Sequence, residues 1–577
     1  MRSTHRMRNP QPLPTHPPRR GARALVAVTA AAVVGAWLAG AAATPRFFDD
    51  DPIARDDDTV EDASGAKPWP LEDVFDLYAN SAGDPSKEPL DLRAQNLNTI
   101  DEVPDSSWFT NRVGSRTLSA DELETGGWTT QGPVPGPWTI IQGKSDGRTP
   151  GFTITDPSGE RWILKFDADE FPGMASGSEV TASRLFWALG YNVPEYHIVI
   201  VSRDQLRVGP GARVQPPGAY MRDMRESDVD LLLGDTLRST DGTYRAVASR
   251  ALPGTPLGGF RFHGTRPDDP NDVVPHEHRR ELRALEVFSG WLNHVEVRGS
   301  NTLDTLVPEG DRRVVRHNLL DFGATLGSGT LAERAYWEGH EYEVDPGQAL
   351  RGLVTFGFPV PDWRRVPLYE SDSVGRLPAD HREWDPASWK PRVSNSAFRR
   401  ARADDRFWAA RKLQAMSDDL IRTAVLEGLF PDAEGQAFLV RALSGRRDAI
   451  LRTYLPGVLP VVDPALDDRG TLTFGNAAAN AGVAAAPASY EAAWFVFDNA
   501  TGESRPLGTA SGTTPELAAP APLPTAAGAF VRIELRATAA DHPAWGEAAQ
   551  LYFRRTDTAW RLVGLERQPR TSGAAQP

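Results

Sequence analysis

Hydrophobic and polar positions along this chain change rhythm twice. Between residues 138 and 252, short β-branched and aromatic runs separated by Gly, Pro, Asp and Ser predict strands at 138–143, 151–155, 161–166, 197–201 and 244–252. One helix interrupts them over 173–189, where Val180, Leu185, Phe186 and Leu189 share a face and Gly190 supplies the stop. From 276 the apolar spacing lengthens. Leu282, Leu285, Val287, Phe288 and Leu292 mark one side of a helix over 276–294, and further helices are expected over 405–429, broken near Ser417, and over 434–453. After Pro460 the period drops to two. Val531, Ile533 and Leu535 alternate with Arg532, Glu534 and Arg536, and 494–497, 551–554 and 560–565 have the same texture. The pattern predicts an α+β chain: an antiparallel sheet, a mainly helical half, and a small all-β sandwich over 460–569 that binds or spaces.

Composition adds limits to this outline. With 577 residues, 40% of them hydrophobic, and 16 Trp, the chain can bury the cores of two or three domains. The absence of Cys removes disulfides, thiolate metal sites and cysteine nucleophiles. A formal charge of −14 excludes general affinity for nucleic acid and works against an anionic membrane surface. The N-terminus points to export. Arg2, Arg6, Arg8, Arg19, Arg20 and Arg23 precede an uncharged run over 24–43 that ends in Ala41-Ala42-Ala43, the layout of an export signal or, if uncut, of a membrane anchor. Either places the rest of the chain outside the cytoplasm, as a periplasmic, surface or secreted protein. Residues 46–95 are acidic and turn-rich and are read as a solvated tether.

Candidate chemistry lies in three ordered pieces. Lys165 ends a predicted strand, and Glu179 follows on the next helix, a pairing that can aim an ammonium at nucleotide phosphates. The run His294-Val295-Glu296-Val297-Arg298-Gly299-Ser300-Asn301 carries an acid and an Asn at the spacing of a kinase catalytic loop, and Asp321-Phe322-Gly323 lies downstream. Asn301 and Asp321 offer hard oxygen ligands for Mg²⁺, and Glu296 is the candidate to position an acceptor hydroxyl, with His294 supporting the loop by hydrogen bonding. Glu is longer than the usual Asp at this position, which moves the carboxylate by about 1 Å. The loop from Gly143 through Gly147 to Gly151 can bring backbone N–H groups to phosphate. The Trp- and Pro-rich stretch after Gly323 is expected to wrap the surface and to carry a substrate cleft.

On these residues, together with Ile163-Leu164-Lys165-Phe166-Asp167, Ala188-Leu189-Gly190-Tyr191-Asn192-Val193-Pro194, Trp291-Leu292-Asn293-His294 and the 103–112 segment, the chain resembles the atypical protein-kinase-like superfamily of HipA-type and phosphatidylinositol kinases. It is similar above all to exported bacterial proteins with that core. The resemblance covers roughly 100 to 455. It implies a bilobal fold with an N-terminal extension and sheet lobe over 96–253 and a helical lobe over 254–456, flanked by the signal or anchor over 1–45, the tether over 46–95, the β-sandwich and a tail over 570–577. It also implies ATP and Mg²⁺ as cofactors and a lipid, sugar or protein acceptor. Glu296 departs from the family's Asp. That leaves three readings: a phosphotransferase, a pseudokinase acting as a scaffold, and a nucleotidyl transferase using the same metal ligands.

Overall fold

The computed structural model describes residues 44–56, 60–69, 73–143, 149–216, 220–355, 358 and 360–567. The expected export segment over 24–43 and the tail over 570–577 lie outside the described residues. The protein is a mixed α and β structure.

Its largest sheet has seven strands: β1 (Trp138–Gly143), β2 (Gly151–Thr155), β3 (Arg161–Phe166), β4 (Tyr196–Val201), β5 (Leu206–Val214), β6 (Arg222–Asp223) and β7 (Tyr244–Arg250). They lie in the order β4-β7-β3-β2-β1-β5-β6, antiparallel throughout except for the parallel β1–β5 pair. Two of these strands escape the sequence pattern. Gly209-Pro210-Gly211 interrupts β5 with a residue that cannot donate to a ladder, and the register jumps from Ile140↔Val208 to Gln142↔Arg213 across it.

Alternation along β3 sorts its side chains. Trp162, Leu164 and Phe166 enter the core beneath the sheet with Ile140, Phe152 and Ile154, which turns Lys165 to the opposite face. That face receives helix α1 (Met174–Leu189), whose Val180 and Leu185 pack in one cluster with Tyr196 and Val247. Asp167 starts the helix: its carboxylate accepts the N–H groups of Gly173 (3.0 Å) and Ser176 (2.9 Å).

Helix α2 (Arg280–Leu292) ends at Asn293, whose φ of 52° turns the chain out in a left-handed cap. It is shorter than the 276–294 expected because His276–His278 form a separate tight turn. Beside it pack α3 (Ala403–Gln414) and α5 (Ala433–Tyr454), while α4 (Asp418–Glu427) lies against α5 and α1. Ser417 makes the break read from the sequence, its Oγ accepting the Leu420 N–H at 3.2 Å.

A second sheet, ordered β10-β9-β8, contains β8 (Thr255–Gly258), β9 (Thr302–Glu309) and β10 (Arg312–Leu319). The β9–β10 hairpin turns at Gly310-Asp311, with Gly310 at φ 63°.

Strands over 461–566 form a three-stranded and a five-stranded sheet. Val531, Ile533 and Leu535 are buried, and they belong to the same apolar cluster as Phe288 of α2, Leu443 of α5 and Leu455. Residues 46–95 make contact with the body at several points. Phe47 is buried among Phe497, Phe530 and Tyr552, and Ala63 and Ala66 pack with Leu257, Leu306 and Val315, while Asp49 and Asp50 stay exposed. A few apolar side chains set between the acids suffice for this docking. Buried ions join distant parts: Arg280 of α2 meets Asp101 (2.9 Å), Asp404 (3.0 Å) and Asp405 (3.0 Å), and Arg567 reaches Asp101 at 3.2 Å.

Candidate functional site

Strand parity and one helical turn bring Lys165 to Glu179. The Lys165 Nζ lies 2.6 Å from Glu179 Oε1 and 2.8 Å from Asp321 Oδ1, joining residues 14 and 156 positions apart. Burial works against the ammonium's charge, but the Asp321 and Glu179 carboxylates outweigh it and raise its pKa above the ordinary lysine value. The two acids differ in exposure. The Glu179 side chain is 2% exposed and that of Asp321 45% exposed, so the first anchors the lysine and the second faces outward.

Asp321 adopts φ 59°, a left-handed conformation that Asp tolerates better than most side chains. Its N–H donates to the Tyr196 hydroxyl at 3.4 Å. Burial, with Glu179 nearby, raises the pKa of that phenol and keeps it neutral. The next residue fixes the turn. Phe322 is fully buried, stacks on Phe186 with ring centroids 5.0 Å apart, and touches the His294 ring at 5.8 Å.

The β9–β10 hairpin brings the other candidate ligand alongside. Thr302 pairs with Leu319, so Asn301 and Asp321 leave the same open end of the hairpin, and the Leu320 N–H donates to the Asn301 carbonyl at 2.9 Å. The Asn301 Nδ2 donates to the Glu296 carbonyl at 2.9 Å, which turns its Oδ1 away from that loop. An amide oxygen and a carboxylate at one hairpin mouth suit a hard cation that also takes water and phosphate oxygens. No group of three or more His, Cys, Asp or Glu side chains among the described residues forms a metal cluster.

Glu296 and His294 are held differently from what the sequence suggests. The Glu296 carboxylate forms an ion pair with Arg392, whose guanidinium also binds the buried Glu338, and the Arg392 N–H donates to the Val295 carbonyl at 2.8 Å. His294 supports its loop by packing, because its ring lies against Phe186 and Phe322 and its buried Nδ1 has no hydrogen-bond partner among the described residues. Burial lowers its pKa to about 4 despite the opposing Asp321 charge, so the ring is neutral at pH 7.

Of the glycine loop, Gly147 lies outside the described residues. Gly143 closes β1, where an added Cβ would stand 3.0 Å from Val214, so its small size serves packing. Gly151 pairs directly with Lys165, so β2 leads the loop to the lysine.

Sequence reasoning missed Tyr196, Asp167, Glu338 and Arg392. Asp167 had a signal, an acid between a strand end and a helix start. Arg392 had none, standing 96 residues from Glu296 in a stretch with no period. That stretch carries a cleft of about 1320 Å³, with Arg334, Trp389 and Lys390 in its wall. Lys165 and Asp321 are not among its lining residues, so it is distinct from their cluster.

No protein-family model and no curated protein matches the chain. Solved structures show a distant likeness. A proinflammatory kinase from Helicobacter pylori, CtkA, is 12% identical with a TM-score of 0.26, over 54% of this chain and 97% of that one. The Golgi casein kinase with Mn and ADP bound is 10% identical with a TM-score of 0.26, over 57% of this chain and 75% of that one. Values this low assign neither activity nor substrate.

Proposed function

We propose that this chain is a phosphotransferase of bilobal, protein-kinase-like fold that uses ATP and Mg²⁺, with the seven-stranded sheet as one lobe and the α2–α5 helices as the other. The observation that carries the reading is the three-way contact of Lys165 with buried Glu179 and half-exposed Asp321. A lysine held by a buried carboxylate from a helix presents a fixed cation to nucleotide phosphates. Asn301 and Asp321 would hold the metal, which when bound neutralises phosphate charge. Gly143, Gly147 and Gly151 frame the phosphate loop. Glu296 stands in the place of the acid that positions the acceptor hydroxyl. The arginine-rich start and uncharged run over 24–43 support an extracytoplasmic location, with that segment cleaved or serving as an anchor; among the described residues no helix is long and apolar enough to cross a membrane. The 461–566 sheets are a binding or spacing module of this enzyme.

A second reading has its own observation. The Glu296 carboxylate is already engaged by Arg392, which favours a protein that binds nucleotide without transferring phosphate.

Titration of the purified chain with ATP, with and without Mg²⁺, tests both. Mg²⁺-dependent binding that Asp321→Ala lowers by about a hundredfold is expected. Folded wild-type protein that ignores nucleotide would end the phosphotransferase reading. Binding without γ-phosphate transfer to any acceptor, unchanged in Glu296→Asp, would select the second.

A further inference from the structure

The stretch between Gly323 and α3 builds a cleft that no part of the nucleotide site uses. Its wall is acidic. Glu286, Glu341, Glu343, Asp345, Asp362 and Asp385 line it against three cations that keep their charge, with Arg406 paired to Glu286 and Arg365 to Asp362. Arg334 donates to the carbonyl of Glu338 at 2.6 Å, Lys390 lies 5.3 Å over the Tyr342 ring, and Arg364 lies 5.2 Å over the Trp363 ring. His340, stacked on Trp363, adds no charge, because burial, with Arg334 and Arg446 nearby, lowers its pKa to about 4. Apolar side chains stand open at the same place. Phe358 and Val344 line the cleft at 75% and 47% exposure, and Leu353 and Val354 extend the patch along the helix Pro346–Thr355. Exposed apolar groups beside an acidic wall call for an occupant that is both basic and apolar. They disfavour anionic lipid.

One segment also joins the cleft wall to the partner of Glu296. Lys390 lines it and pairs in a bridge with Gly339, and Arg392, two residues on, holds both Glu296 and Glu338. A wall residue of the cleft thus stands two positions along the chain from the arginine that holds Glu296.

We infer that this cleft binds a polypeptide segment with Arg or Lys beside an apolar anchor, and that the segment presents a hydroxyl residue to the Glu296 loop. The docking needs no nucleotide; only the segment's role as acceptor rests on the phosphotransferase reading above.

The test uses the full chain and a fluorescent degenerate peptide library in which each position is Arg, Lys, Glu, Leu, Phe or Ser, with phosphatidylglycerol vesicles as a second probe. Retained peptides are expected to be enriched in Arg or Lys together with Leu or Phe, and Glu343→Lys combined with Asp362→Lys should weaken their binding about tenfold. Both positions are exposed, so folding is preserved, and Phe358→Ser should weaken binding without altering the salt dependence. Asp321→Ala, expected to weaken nucleotide binding, should keep the peptide. Recovery of acidic peptides, no enrichment at all, or equal binding by the charge-reversed chain would overturn the inference. Binding of vesicles that survives charge reversal would replace it with a membrane surface.

Discussion

Lys165 is a cation between a carboxylate that water barely reaches and one that it does. Replacing the lysine therefore has unequal consequences for the two. Lys165→Met leaves Glu179 charged against apolar surroundings, and the expected loss is about 3 kcal/mol of stability, read from the urea midpoint. Asp321→Ala should lose about 1 kcal/mol or less, because its side chain is 45% exposed. Equal losses would show that Glu179 is not the buried partner. These residues were legible in the sequence because each belongs to a short local pattern: Lys165 at a strand end, Glu179 in the following helix, Asp321 before an aromatic and a glycine. Arg392, Glu338 and Tyr196 were not, since their roles exist only after segments far apart in sequence are packed together. For that reason Glu296 reads from sequence as a free acid and is found paired.

Elements, more than single side chains, decide which oxygens can share a cation. The β9–β10 hairpin spans the interval between Asn301 and Asp321, and its ladder from Thr302↔Leu319 to Glu309↔Arg312 returns the chain to its starting point. The interval was visible in the sequence, but the hairpin inside it was not read there. The helix boundaries were clearer. The break at Ser417 was legible because a hydroxyl residue before two acids and an apolar run is a helix start, and Ser417→Ala is expected to lower stability by about 1 kcal/mol, with Ser417→Asp restoring most of it, as measured by thermal or urea unfolding. An unchanged midpoint would mean that α3 and α4 separate for another reason. Strand β5 stayed hidden because Gly209-Pro210-Gly211 breaks the alternation on which strand recognition depends, and β6 because its two residues, Arg222 and Asp223, are too few to show a period.

For the whole molecule, the joints between regions are ionic as well as apolar. Arg280 is fully buried among Asp101, Asp404 and Asp405, so Arg280→Met should take one partner from each of three carboxylates, which keep Arg93 and Arg567, Arg402 and Arg283 respectively, and should remove about 3 kcal/mol. Arg382→Met, breaking the exposed pair with Asp380, should leave the urea midpoint unchanged. If Arg280→Met fails to fold, Arg280→Lys keeps a charge and gives a measurable partial loss; no difference between Arg280→Lys and wild type would remove the network from any part in stability. The same connectedness has a mechanical consequence at the start of the described chain. The Arg46 N–H donates to the Asn499 carbonyl at 3.0 Å, Asn499 brackets the Phe47 backbone at 2.9 and 2.8 Å, Arg46 reaches Glu566 at 2.7 Å, and the Phe47 ring lies among Phe497, Phe530 and Tyr552. A pull applied upstream of residue 46 is therefore taken first by the five-stranded sheet, as shear across this clasp, and spends itself there before any strain reaches Lys165 or Asp321.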